Sequence, residues 1–203
     1  MINVSLLKEI CEVPGVPGHE QKVRELIQRE LKGIADDIYT DNMGNLIAVK
    51  KGNTSDKKVM AAAHMDEIGF IVHHIDDNGF LRFHPLGGFD PKTLTAQRVV
   101  VHGKKDVIGV MGSKPIHLMS PDERNKPLHL TDFFIDLGMK RDEVVKLIEV
   151  GNTVTREREL IEMGECVNCK SLDNRVAVFI LIETLRELKG QNIPYDFYGV
   201  FTV

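Results

Sequence analysis

The chain has 203 residues, 42% of them hydrophobic and 28% charged, a composition typical of folded globular proteins and a length that allows a sizeable core. Its 26 basic and 30 acidic side chains give a formal net charge of −4, which excludes the strongly basic footprint of a nucleic-acid binder. No apolar run is long enough to span a bilayer, the N-terminal stretch lacks the basic and apolar regions of a signal peptide, and three cysteines are too few for a disulfide framework. The expectation is therefore a protein of the reducing cytoplasm, with no nucleic-acid and no membrane partner.

In chain order, Leu6, Leu7, Ile10 and Cys11 fall at helical spacing. Two prolines and two glycines between Pro14 and Gly18 mark a loop. A longer helix is predicted over residues 20–35, with Val23, Leu26, Ile27, Leu31 and Ile34 as its apolar stripe. A hairpin follows, residues 37–41 leading into Asn42–Asn45 and residues 46–50 leading out. Residues 57–64 read as a buried strand, because Val59 to Ala63 is an unbroken run of small and apolar side chains. From Gly69 to about Gly164 short strand-like runs (70–75, 79–84, 97–102, 107–111) separated by glycines predict a small barrel or sandwich, with a short helix over 141–148. Residues 174–188 then read as an amphipathic helix closed by Gly190, and 195–203 as a further apolar strand that stops with no turn or polar tail, as a fragment of a longer protein would. The fold expected is α/β, with a mixed-sheet domain, incomplete here, interrupted by a β-rich, barrel-like insertion. The expected divisions are 1–68, 69–164 and 165–203.

Two constellations carry chemistry. In Ala63-His64-Met65-Asp66-Glu67-Ile68-Gly69, strand alternation puts His64 and Asp66 on one side, at a strand's carboxyl end, where α/β sheets place their ligands. A metal-binding imidazole needs an acceptor for its other N–H, a task open to Asp66; a surface histidine beside a solvated aspartate is the plainer alternative. In Ser171-Leu172-Asp173-Asn174-Arg175, Asp173 precedes a helix. It reads as an N-cap or as a carboxylate bridging two metals, which in two-metal hydrolytic sites sit roughly 3.5–4 Å apart; the two roles are compatible. Cys166-x-x-Cys169 lacks the second pair of a zinc ribbon and reads as two free thiols. Glu20 suits a helix start, and neither His19 nor His117 is assigned a role.

The stretches PGVPGHE (14–20), DNMGNL (41–46), AHMDEIGF (63–70), IGVMGSKPIHLM (108–119), FFIDLGM (133–139) and KSLDNRVAV (170–178) resemble, in order and over nearly the whole chain, the M42 family of metallo-aminopeptidases, the glutamyl and deblocking aminopeptidases sometimes labelled endoglucanases. The resemblance implies a cytoplasmic enzyme that removes N-terminal residues from peptide substrates with two divalent metal ions, Zn or Co. It implies His64 as a metal ligand, Asp66 as the acid that orients it, and Asp173 as the bridging ligand. It further implies a homo-oligomer built from dimers, often a tetrahedral dodecamer, with the insertion contributing to assembly. In the family, the strand equivalent to 195–203 runs into two glutamates, one the general base and one a ligand, and a further acid and a histidine follow. None lies within these 203 residues, so the chain alone is expected to bind metal weakly and to be inactive. Rival readings are a metal-dependent deacylase on the same scaffold and a non-catalytic oligomerisation module. An endoglucanase would need two opposed carboxylates instead of a histidine-anchored metal pair.

Overall fold

A computed structural model describes residues 2–54 and 56–203. Its regular elements are α1 (Val4–Glu12), α2 (Gln21–Leu31), β1 (Asp37–Thr40), β2 (Leu46–Lys50), β3 (Lys58–His64), β4 (Gly69–Ile75), β5 (Leu81–Leu86), β6 (Arg98–His102), β7 (Asp106–Gly112), α3 (Pro121–Arg124), β8 (Phe134–Asp136), α4 (Arg141–Leu147), β9 (Thr153–Arg156), β10 (Ile161–Met163), β11 (Cys166–Asn168), α5 (Leu172–Glu187) and β12 (Asp196–Thr202). They divide into two compact units. One is built from the residues up to Glu67 and from Glu159 onward, the other from Ile68–Arg158. Among the described residues no helix is long and apolar enough to cross a membrane.

The first unit holds a mixed sheet in the order β1-β2-β12-β3. β1 and β2 form the expected hairpin, β12 pairs antiparallel with β2, and β12 pairs parallel with β3. Helix α5 packs against β3 and β12 and also against α1 and α2, so Val178, Phe179, Leu181, Ile182 and Leu185 are all buried. Gly199 lets α5 approach β12 closely, for a Cβ there would stand 3.0 Å from Leu185 Cδ1. The stripes predicted for α1 and α2, up to Leu31, are buried in the same core.

Two expectations are corrected here. β3 is not a buried strand: it lies at the edge of the described sheet, with Val59 45% and Met60 70% exposed. The strands buried along their length or flanked on both sides are β2 and β12 instead. An apolar run reports affinity for a sheet and not the number of neighbours a strand acquires. Helix α2 ends at Leu31 rather than at residue 35, because Gly33 adopts φ +72°, a left-handed conformation that terminates helices. Ile34 still packs against the core from outside the helix.

The second unit is a closed six-stranded barrel, β4-β5-β8-β7-β6-β9. Alternation fills it: Val99 and Val101 of β6, Gly109 and Met111 of β7, and Phe70 and Val72 of β4 are buried. Phe70 meets Phe83 edge-on at 4.8 Å between ring centroids and stacks on Phe89 at 4.2 Å. Closure removes the free edges a small sheet would expose. In this unit His73 stacks on His84, and His102 lies 2.9 Å from both Asp106 and Thr155.

Candidate metal centre

β3 ends at His64, whose register partner on β12 is Thr202. The next residue, Met65, donates its N–H to the Thr202 carbonyl at 2.7 Å and is fully buried. The chain then leaves the sheet, and the Glu67 N–H donates to the Gly15 carbonyl at 2.8 Å. Gly15 belongs to the predicted proline–glycine loop, which Glu20 closes by accepting the Gly18 N–H at 2.7 Å. The segment that follows His64 is thereby tied at two points, to β12 through Met65 and to the proline–glycine loop through Glu67.

The three residues singled out in the sequence lie together. His64 Nδ1 is 2.6 Å from Asp66 Oδ1, and His64 Nε2 is 3.3 Å from Asp173 Oδ1. Asp173 does not cap α5. Its backbone is extended (φ −86°, ψ 108°), Ser171 occupies the cap position without a capping hydrogen bond, and regular helix begins only after Asn174. The Asp173–Asn174 peptide is cis. With its backbone turned out of the helix, the Asp173 side chain is 98% exposed and makes its polar contact with His64. His19 and His117 are exposed, and Cys166 and Cys169 are free thiols.

Around this trio lies a layer of buried polar groups that sequence reasoning missed. Lys170 Nζ meets Glu67 Oε1 at 2.5 Å, with side-chain exposures of 3% and 2%. Ser171 Oγ donates to the Cys11 carbonyl at 2.5 Å. Arg175, fully buried, donates from Nη1 to the carbonyls of Ile10 (2.5 Å) and Val13 (3.1 Å) at the end of α1, where a helix presents unpaired oxygens and partial negative charge. Its Nε and Nη2 have no hydrogen-bond partner among the described residues. Burial pulls the proton affinities of Lys170 and Arg175 down, against the upward pull of Glu67 on each. The sequence signal for this layer was present: Glu67, Lys170 and Arg175 are charges standing within one to three residues of Asp66 or Asp173, inside the motif stretches already noted.

Imidazole nitrogen and carboxylate oxygen suit zinc-like divalent cations. With Nδ1–H donated to Asp66, Nε2 turns a lone pair toward the Asp173 carboxylate, and two facing acceptors suit a cation between them. In type the donors fit a divalent metal; in number they fall short. Among the described residues no group of three or more histidine, cysteine or acidic side chains is placed to hold one, whereas a catalytic zinc takes three protein ligands.

An α/β unit whose sequence is interrupted by a barrel is the fold of the metallopeptidase class that the sequence resemblance implied. The family model of the M42 glutamyl aminopeptidases matches residues 44–203, and the chain belongs to that family. It is 36% identical over 210 residues to the lysyl aminopeptidase of Pyrococcus furiosus, a match covering 100% of this chain and 59% of that protein. Its structure resembles the TET aminopeptidase of a marine-sediment Thaumarchaeota archaeon (TM-score 0.94, 33% identity, 98% of this chain and 58% of that one). It also resembles the Pyrococcus horikoshii TET1 peptidase (TM-score 0.88, 32% identity, 98% and 60%), which can assemble into a tetrahedron or a large octahedral shell. The chain spans between 57% and 59% of the length of three curated relatives it matches.

Proposed function

We propose that this chain is part of a dinuclear metal-dependent aminopeptidase, with His64 as a metal ligand, Asp173 as the carboxylate that bridges the two ions, and Asp66 as the acid that fixes the tautomer and orientation of His64. The observation that carries the reading is the line Asp66–His64–Asp173, in which a histidine held through Nδ1 aims Nε2 at a fully accessible carboxylate 3.3 Å away. Divalent cations, zinc or cobalt, supply Lewis-acid polarisation of a peptide carbonyl in such enzymes. The residues of this chain hold and orient; two donors are one short of a catalytic zinc set, so the chain by itself is proposed to bind metal weakly and not to hydrolyse. The kinship with aminopeptidases supports peptides with a free N-terminus as substrates, and the free cysteines agree with a cytoplasmic setting.

The test is Zn²⁺ and Co²⁺ binding by equilibrium dialysis, comparing the chain with His64→Ala and Asp173→Ala. Each substitution is expected to weaken binding at least tenfold; wild-type affinity in both would refute the ligand assignment. On the whole protein, cleavage of free-amine substrates but not of N-acetylated ones separates an aminopeptidase from a deacylase.

A second reading concerns the barrel unit, residues 68–158. Its closed sheet and separate core, together with the assembly of the TET1 relative, support a role in homo-oligomer formation. Chelator-resistant oligomers in light scattering would sustain it, and a monomer at all concentrations would end it.

A further inference from the structure

The Asp173 carboxylate is 98% exposed, so packing does not fix it; its backbone must. Three side chains anchor that backbone. Ser171 and Arg175 tie it to the end of α1. Lys170 is the anchor that reaches the segment carrying His64 and Asp66, through Glu67, the residue that follows Asp66. Glu67 is itself held, its N–H bonded to Gly15. A buried ion pair gains little over a well-packed apolar pair, because the cost of taking two charges out of water offsets their attraction. What such a pair does offer is register: it is satisfied in one geometry, whereas apolar side chains tolerate several.

We propose that the buried Glu67–Lys170 pair is a positioning clasp, holding the Asp173 segment against the end of β3 so that the Asp173 carboxylate faces His64 Nε2. The inference rests on the metal-site reading above and adds to it residues that touch no metal. Neither Glu67 nor Lys170 is a catalytic residue; each acts through the backbone it fixes.

The clasp is tested with the double variant Lys170→Met/Glu67→Leu, which replaces the pair with apolar side chains of similar length; Arg175 loses the pull of Glu67 but keeps its bonds to the Ile10 and Val13 carbonyls, and Lys170→Met alone strands Glu67. Three readouts are taken: thermal unfolding without metal, Zn²⁺ affinity, and a crystal structure of the metal-free double variant. The expected result is a midpoint within a few degrees of wild type, a Zn²⁺ affinity lower by about 10- to 100-fold, the range for residues that orient ligands, and a shifted 170–173 segment with Asp173 drawn away from His64. Unchanged Zn²⁺ affinity in a folded double variant overturns the proposal. So does a collapse of the midpoint, which would make the pair a stability element. His64→Ala is measured in parallel. If it binds Zn²⁺ as wild type does, the metal-site reading itself has failed, and the clasp is then judged on the crystal structure alone: a segment that has not moved refutes it, and a displaced one sustains it.

Discussion

Removing Lys170 while leaving Glu67 is the sharpest perturbation of stability that the structure defines. At 2.5 Å the two charges attract by about 7 kcal/mol at an effective dielectric near 20, while taking each out of water costs several kcal/mol. The two sums nearly cancel, so the pair is worth little against apolar replacements. Lys170→Met deletes the attraction and keeps the burial cost of Glu67, predicting a loss of about 3–5 kcal/mol; Glu67→Leu strands Lys170 with a loss of the same order. The double variant loses only the pull of Glu67 on Arg175 and is expected to be more stable than either single variant, so the cycle returns a large coupling energy between residues 103 positions apart. Glu67→Leu carries a pH signature. Burial already depresses the Lys170 pKa below 10.5, and removing the carboxylate depresses it further. A depressed pKa means that the unfolded chain binds more protons, so stability is lost as pH falls through the folded pKa and returns as pH rises toward the unfolded value of 10.5. The Glu67→Leu deficit should therefore shrink from pH 7 to pH 10. Urea unfolding followed by circular dichroism measures all four proteins, with the barrel transition as an internal reference wherever the two units melt separately. Single variants costing under 1 kcal/mol, or a deficit that grows with pH, would refute the reasoning.

Three further outcomes are expected. Asp66→Ala removes the acceptor 2.6 Å from His64 Nδ1 and should weaken Zn²⁺ binding about 10- to 100-fold in a dialysis measurement without lowering the unfolding midpoint. Burial, reinforced by nearby Cys169 and opposed by Arg175, pushes the Cys11 thiol up to about 12 from 9.0. A raised folded pKa stabilises fully below pH 9 and is lost toward pH 12, so about 2 kcal/mol should be missing at pH 10.5; denaturant titrations should show no such term in Cys11→Ala. In Gly15→Ala the new Cβ would stand 2.6 Å from Val23 Cγ2 and 3.1 Å from Arg175 Nη2, an overpacking worth about 1–3 kcal/mol by urea titration.

How far the sequence could be read depended on the range of the interaction. The stripes Leu6, Leu7, Ile10, Cys11 and Val23, Leu26, Ile27, Leu31 are legible because a helix imposes its own period, and all eight residues are buried. The β1–β2 hairpin and the barrel alternation are legible for the same local reason. β3 was misread because burial depends on what pairs with a strand, and β3 has one partner in the described sheet. The end of α2 was misread because a single glycine outweighed an apolar residue at the right spacing.

The site divides in the same way. His64 and Asp66 are two residues apart, and strand geometry alone brings them together. Asp173 stands more than a hundred positions downstream, and only the family resemblance joined it to them; the structure brings it within 3.3 Å of His64. Glu67 and Lys170 escaped notice because each looks like an ordinary surface charge until the fold buries both. A charged residue inside a short motif that already holds candidate ligands is the signal that could have revealed them. It need not touch a ligand to matter, because an exposed carboxylate such as Asp173 takes its direction from a backbone that only such anchors can hold still.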